Sequence, residues 1–97
     1  MTDVNPPKRH VWTYLSNHAH VLIAVAKEPE ARVRDLAELV GITERAVLQI
    51  LHDLEAAGSI QRTREGRRTR YHINPDVPLR HPLEAHRNVS DILRLSK

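Results

Sequence analysis

The chain changes its period at Gly58, and few features limit its possible folds more. Before that residue Val47, Ile50, Leu51, Leu54 and Ala57 recur at three- and four-residue spacing, which places them on one stripe of a helix. After it Ile60, Arg62 and Arg64 point one way in an extended segment, and Tyr71 and Ile73 alternate with Arg70 and His72 on the return. Glu65-Gly66 supplies the turn between the two runs, so a two-stranded hairpin follows directly on a helix. Both ends of that helix are marked. Thr43 is a good N-cap, Glu44 puts negative charge at the positive end of the dipole, and Gly58 can take the left-handed conformation that ends helices.

The helix leaves a second side free, carrying Arg45, Leu48, Gln49 and His52. By itself such a side is an ordinary solvated face. The hairpin beside it is not ordinary, because it sets Arg62, Arg64, Arg67, Arg68 and Arg70 against a single Glu65. Like charges at this density on a short ribbon repel one another unless an anion compensates them. Neutralisation of these guanidinium groups by carboxylates of the same molecule would remove the case for an external anion.

Upstream, Ser16 or Asn17 reads as the N-cap of a helix running to about Lys27, with Ala19, Leu22, Ile23 and Ala26 on its buried side. Glu28-Pro29 ends it. Ala31 to Val33 is expected as a very short strand, and Arg34 to Val40 as a second helix with Leu36, Ala37 and Val40 inward. Gly41 sits where that helix stops and the chain turns, and Ile42 plugs the turn. Two short helices joined by a glycine-containing turn, the second capped by threonine, make the helix-turn-helix pattern.

The flanks are less regular. Residues 1–10 are polar and proline-bearing, with nothing periodic to bury, and read as a flexible arm in which Lys8 and Arg9 are solvated charges. Trp12, Tyr14 and Leu15 are costly to expose in so aromatic-poor a chain, and are expected to pack on the domain or on a second subunit. Asn74 to Pro82 carries three prolines and reads as an extended connector. Pro82 suits a first helical position, and a last helix is expected from Leu83 to about Leu95, with Ala85, Val89, Ile92 and Leu93 on one stripe. That stripe either completes the domain's own core or pairs with the same helix of another subunit.

A chain of 97 residues makes one small domain with little room for an enclosed active site. Its net charge is +3, and the excess is arginine concentrated in the hairpin, the footprint of a polyanion partner. The absence of cysteine rules out disulfides and thiolate metal sites and fits a reducing cytoplasm. The longest apolar run, Val21 to Ala26, is too short to span a bilayer, and Asp3, Pro6 and Pro7 do not make a secretory signal. A soluble, cytoplasmic protein is the expectation.

With these pieces in order the chain resembles a winged helix-turn-helix transcription regulator of the MarR-like and ArsR-like groups. The resemblance covers roughly Asn17 to Ile73 and is carried by VRDLAELVGITERAVLQILHDLEAAGSI followed by the wing TREGRRTRY. A closer similarity, to small stand-alone bacterial regulators, rests on Ser16-Asn17-His18 and on Leu79-Arg80-His81-Pro82-Leu83-Glu84. It implies a chain that is nearly all DNA-binding domain, with no separate ligand-binding domain and no cofactor. The fold implied is mainly α with a small β-hairpin: a three-helix core, a two-stranded wing and an extra C-terminal helix. In domain terms 1–10 is the arm, 11–74 the winged helix-turn-helix, and 75–97 the connector with a helix that can serve dimerisation.

The resemblance places Thr43, Glu44, Arg45, Leu48, Gln49 and His52 on the face that enters the major groove of double-stranded DNA. Arg45 can reach a guanine edge or a phosphate, Gln49 can read adenine, and Leu48 would lie against a thymine methyl. Leu48 departs from the family, which often has a small hydroxyl residue there. The helix is net acidic, with Glu44, Asp53 and Glu55 against Arg45, so attraction to phosphate has to come from the wing. Arg67 and Arg68 at its tip are implied to enter or straddle the minor groove, while Arg62, Arg64 and Arg70 grip phosphates. A homodimer is implied, with Trp12, Leu83, Val89, Ile92 and Leu93 as its contacts.

Other classes fit less well. Histidines and carboxylates invite a metal-responsive ArsR-like reading through Asp76, His81, Glu84 and His86, or through His18 with His20. However, His81 and His86 are five apart across a proline, where helical ligands need three or four. His18 is expected to face the terminal helix or a neighbouring subunit as a buried hydrogen-bonding residue. No enzyme is indicated, because the chain has no glycine-rich phosphate loop, no cysteine nucleophile and no pair of carboxylates near a histidine in a segment that could form a cleft. The remaining competitor is a winged helix used as a protein-interaction module, which has little use for five arginines. No effector pocket, operator or target can be read from these residues.

Overall fold

A computed structural model describes residues 12–97, in the order α1 (Asn17–Lys27), α2 (Val33–Val40), α3 (Glu44–Ala56), β1 (Ile60–Glu65), β2 (Arg68–Ile73) and α4 (Val89–Arg94). The expected N-terminal arm, with Lys8 and Arg9, lies outside the described residues. Ser16 caps α1, its hydroxyl accepting from the Ala19 N–H at 3.3 Å. Thr43 does the same for α3 through Ala46 N–H at 3.0 Å. Gly58 ends α3 with φ +81°, the Ser59 N–H reaching Leu54 O at 2.9 Å and the Gly58 N–H reaching Glu55 O at 3.0 Å. That pair of bonds is the Schellman closure, and the left-handed residue it needs is a glycine here.

The core lies among α1, α2 and α3 and extends to Ile60, Tyr71 and Val89. Leu36, Val21, Val25 and Val47 are its fully buried large side chains. The expected buried side of α1 needs correcting. Val21, Ala24 and Val25 are buried with Ala19 and Leu22, while Ile23 is half-buried and Ala26 is exposed. The cause is the number of partners: α1 packs against α2, α3 and α4, so apolar surface is covered over more than one stripe.

The short strand expected over Ala31 to Val33 does not form, and α2 begins at Val33, one residue before the expected start. A bond from the Tyr71 N–H to Pro29 O at 2.9 Å, two residues before that stretch, ties β2 to the α1–α2 connection. The hairpin forms in antiparallel register, Ile60 opposite Ile73, Arg62 opposite Tyr71 and Glu65 opposite Arg68. Its turn is therefore Gly66-Arg67, one residue later than the sequence suggested. Ile60, Arg62 and Arg64 share one face with Thr69, Tyr71 and Ile73, and Arg68 and Arg70 lie on the other.

The C-terminal helix is shorter than expected. Only Val89–Arg94 is helical, and Ala85 lies in an exposed loop. The loop's backbone pairs with the connector instead, Leu79 N–H donating to Arg87 O and Val89 N–H to Val77 O, each at 2.9 Å. Helix formation begins where Asp91 accepts from the Asn88 backbone N–H at 3.0 Å. Val89 is 3% exposed in the core, and Ile92 and Leu93 pack against it, so the apolar stripe serves the domain itself.

Candidate nucleic-acid interface

Packing of Val47, Ile50, Leu51 and Leu54 against the core turns the opposite side of α3 outward. Glu44, Arg45, Leu48, Gln49 and His52 are all exposed there, as is Thr43 at the cap, and no C-terminal segment covers them. Leu48 is 53% exposed, an apolar side chain with no role in the core.

One side chain on this face is held from behind. Asp53 Oδ1 accepts from the Gln49 amide at 3.2 Å, and Asp53 Oδ2 accepts from His18 Nε2 at 2.9 Å. The His18 hydrogen bond and then that of Gln49 hold the Asp53 carboxyl below its ordinary range. This corrects the expectation for His18, which is exposed and faces α3 rather than the terminal helix, because α1 and α3 pack side by side. No local signal links residues 35 apart; only the packing of two helices brings them together.

The wing is anchored by Tyr71, whose phenol is pushed up by burial. Its charge differs from the expectation of five arginines against Glu65. Glu30 accepts from Arg68 at 2.8 Å and from Arg70 at 2.6 Å, and Glu55 of α3 accepts from Arg62 at 3.1 Å. Thus three of the five guanidinium groups have a carboxylate of the same chain. Arg64 and Arg67 have none among the described residues. The pairs are solvent-accessible, and such pairs contribute only about 0–1 kcal/mol each, so phosphate can compete for their arginines. The uncompensated attraction nevertheless rests on Arg64 and Arg67.

The remaining candidates do not converge. Among the described residues no group of three His, Asp or Glu side chains could hold a metal ion, and His81 Nδ1 accepts from the Leu83 N–H at 3.1 Å. No described helix is long and apolar enough to cross a membrane. Trp12 and Tyr14 meet edge to face at 4.8 Å but stay 73% and 92% exposed, so of the two expected homes the domain itself does not cover them.

The fold has relatives among solved structures. The PcaV transcriptional regulator of Streptomyces coelicolor, crystallised with its natural ligand, matches with a TM-score of 0.55 at 22% identity over 84% of this chain and 60% of its own. ZitR of Lactococcus lactis, a zinc-responsive MarR family member, gives 0.52 at 22% identity over 73% of this chain and 50% of its own. The antimony-specific transcriptional repressor AntR gives 0.54 at 20% identity over 99% of this chain and 91% of its own. The chain thus spans less than two thirds of the length of PcaV and half that of ZitR. No curated protein sequence matches it. A family model, that of the MarR family, matches residues 13–70, the segment that holds the helix-turn-helix and nearly all of the wing. The chain belongs to the MarR family of winged-helix transcriptional regulators.

Proposed function

We propose that the chain binds double-stranded DNA sequence-specifically as a homodimeric transcriptional regulator, with α3 in the major groove and the wing on the adjacent minor groove and phosphates. The observation that carries this reading is the exposure of Arg45, Leu48, Gln49 and His52 on α3 together with that of Arg64 and Arg67 on the wing, which have no carboxylate partner among the described residues. The helix supplies groups that read base edges, while the wing supplies charge that binds any duplex. At a proper site Arg62, Arg68 and Arg70 join the phosphate contacts by exchanging their carboxylate partners. Glu44 and Thr43 flank the groove-entering turn.

For the dimer, Trp12 and Leu83 are the proposed contacts, because both are large, apolar and exposed. Val89 is taken up by the core, while Ile92 and Leu93, partly buried against it, keep some surface to add to that contact. Two recognition helices would then sit about 34–36 Å apart on a pseudo-palindromic site.

Selection of sites from a randomised duplex pool by the purified chain tests the reading. Enrichment of a two-fold symmetric motif, lost in Arg45→Ala/Gln49→Ala, is expected. Recovery of a random pool by both proteins would contradict it, and the absence of any retained duplex would favour a protein-interaction module.

A further inference from the structure

Glu30 belongs neither to the recognition helix nor to the wing, yet it engages two wing arginines at once. Its Oε1 accepts from Arg68 Nη1 at 2.8 Å and its Oε2 from Arg70 Nη1 at 2.6 Å. Beside it, Pro29 O takes the Tyr71 N–H at 2.9 Å, so backbone and side chain together join β2 to the α1–α2 connection. Arg68 and Arg70 are two residues apart on one face of a strand, hence about 7 Å apart, and need an anion between them. The open groove there is also lined by Lys27, Glu28, Arg32 and Asp35. Asp35 is engaged by the Arg32 backbone N–H at 3.1 Å, and among the described residues Glu30 is the carboxylate paired with both arginines.

From this geometry we infer that Glu30 is a specificity-determining positioning residue: it withholds Arg68 and Arg70 from indiscriminate phosphate contact and fixes the wing against the α1–α2 turn. The inference rests on the DNA-binding reading. Arg64 and Arg67 then remain as the wing's ready phosphate contacts, and binding to random duplex stays weak relative to binding at a proper site. Removing the carboxylate releases two cations without touching the face of α3 that reads bases. The gain should therefore fall on random DNA more than on the selected site.

Fluorescence anisotropy on a random duplex and on a selected site, between 50 and 200 mM salt, tests this. Each added phosphate contact steepens the slope of log K against log salt by ~0.9, so Glu30→Gln should steepen it by up to ~1.8. Its advantage over the wild type on random duplex should accordingly grow about tenfold from 200 to 50 mM salt. The selected-to-random affinity ratio should shrink, and Glu30→Gln/Arg68→Gln/Arg70→Gln should return the slope close to that of the wild type. An unchanged or shallower slope in Glu30→Gln would overturn the inference, while a wild type that binds neither duplex would overturn the DNA-binding reading as well. A comparison within the wild-type Glu30 background gives an independent check. On random duplex Arg68→Gln should alter the slope less than Arg64→Gln does, and equal changes there would show that Glu30 withholds nothing.

Discussion

His18 Nε2 on α1 donates to Asp53 Oδ2 on α3 at 2.9 Å, so a side chain outside the recognition helix reaches the residue that also holds Gln49. The contact ties α3 to α1, which packs against α2, α3 and α4.

It has a consequence in acid. Asp53 is held low first by the His18 hydrogen bond, and Asp91 first by the Asn88 backbone N–H. A carboxylate whose folded value lies below its unfolded value of about 3.9 adds stability that is complete above that value and is lost as pH falls through the folded value. The melting temperature should therefore drop as pH is lowered from about 5 toward 2, and Asp53→Asn/Asp91→Asn should show a shallower drop over the same range. Circular dichroism melts across pH check this, and parallel curves for the two proteins would exclude these carboxylates as the cause.

In the proposed function base reading falls to α3 and charge to the wing. Gln49→Ala should relax preference at one base position by ~1–3 kcal/mol, whereas Arg64→Ala should weaken all sequences alike and reduce the salt slope by about 1. Competition binding with singly substituted sites measures both effects. Equal losses on selected and random DNA for the two variants would contradict the division.

Two substitutions separate backbone from core. Gly66 sits at φ +64° with open space around it, so Gly66→Ala should cost roughly 1–2 kcal/mol through the left-handed backbone alone. Leu36 is fully buried, and Leu36→Ala should cost about 2–5 kcal/mol. Urea unfolding gives both values, and a larger cost at Gly66 than at Leu36 would contradict this description of the core and the turn.

The ends of α3 were legible because their determinants are local: Thr43 bonds three residues ahead and Gly58 closes the turn just behind it. The hairpin was legible because the period itself changes. The start of α4 was written in the sequence too, in the Asn88…Asp91 spacing of a capping box, but Pro82 offered a competing start six residues earlier. The pairing of Glu30 with Arg68 and Arg70 spans 38 and 40 residues, and nothing in local pattern or propensity encodes it. The outward face of the site could thus be read from periodicity, whereas its charge balance depends on which distant carboxylates the fold delivers.

Self-association is tested at the exposed apolar residues. Leu83→Asp and Trp12→Ala should lower the mass seen by sedimentation at micromolar concentration while leaving the helical signal intact. Val89→Asp should instead unfold the chain, because Val89 is 3% exposed within the core. An unchanged mass in both surface variants would place the dimer contact elsewhere.

The most direct test of DNA recognition by this chain is its affinity for duplex DNA as a function of salt, compared with Arg64→Gln/Arg67→Gln. Binding should fall steeply with salt, and the double variant should reduce the slope by ~1.8, which is two phosphates at about 0.9 each. Binding that is absent, or that does not change with salt, would contradict a DNA-binding role.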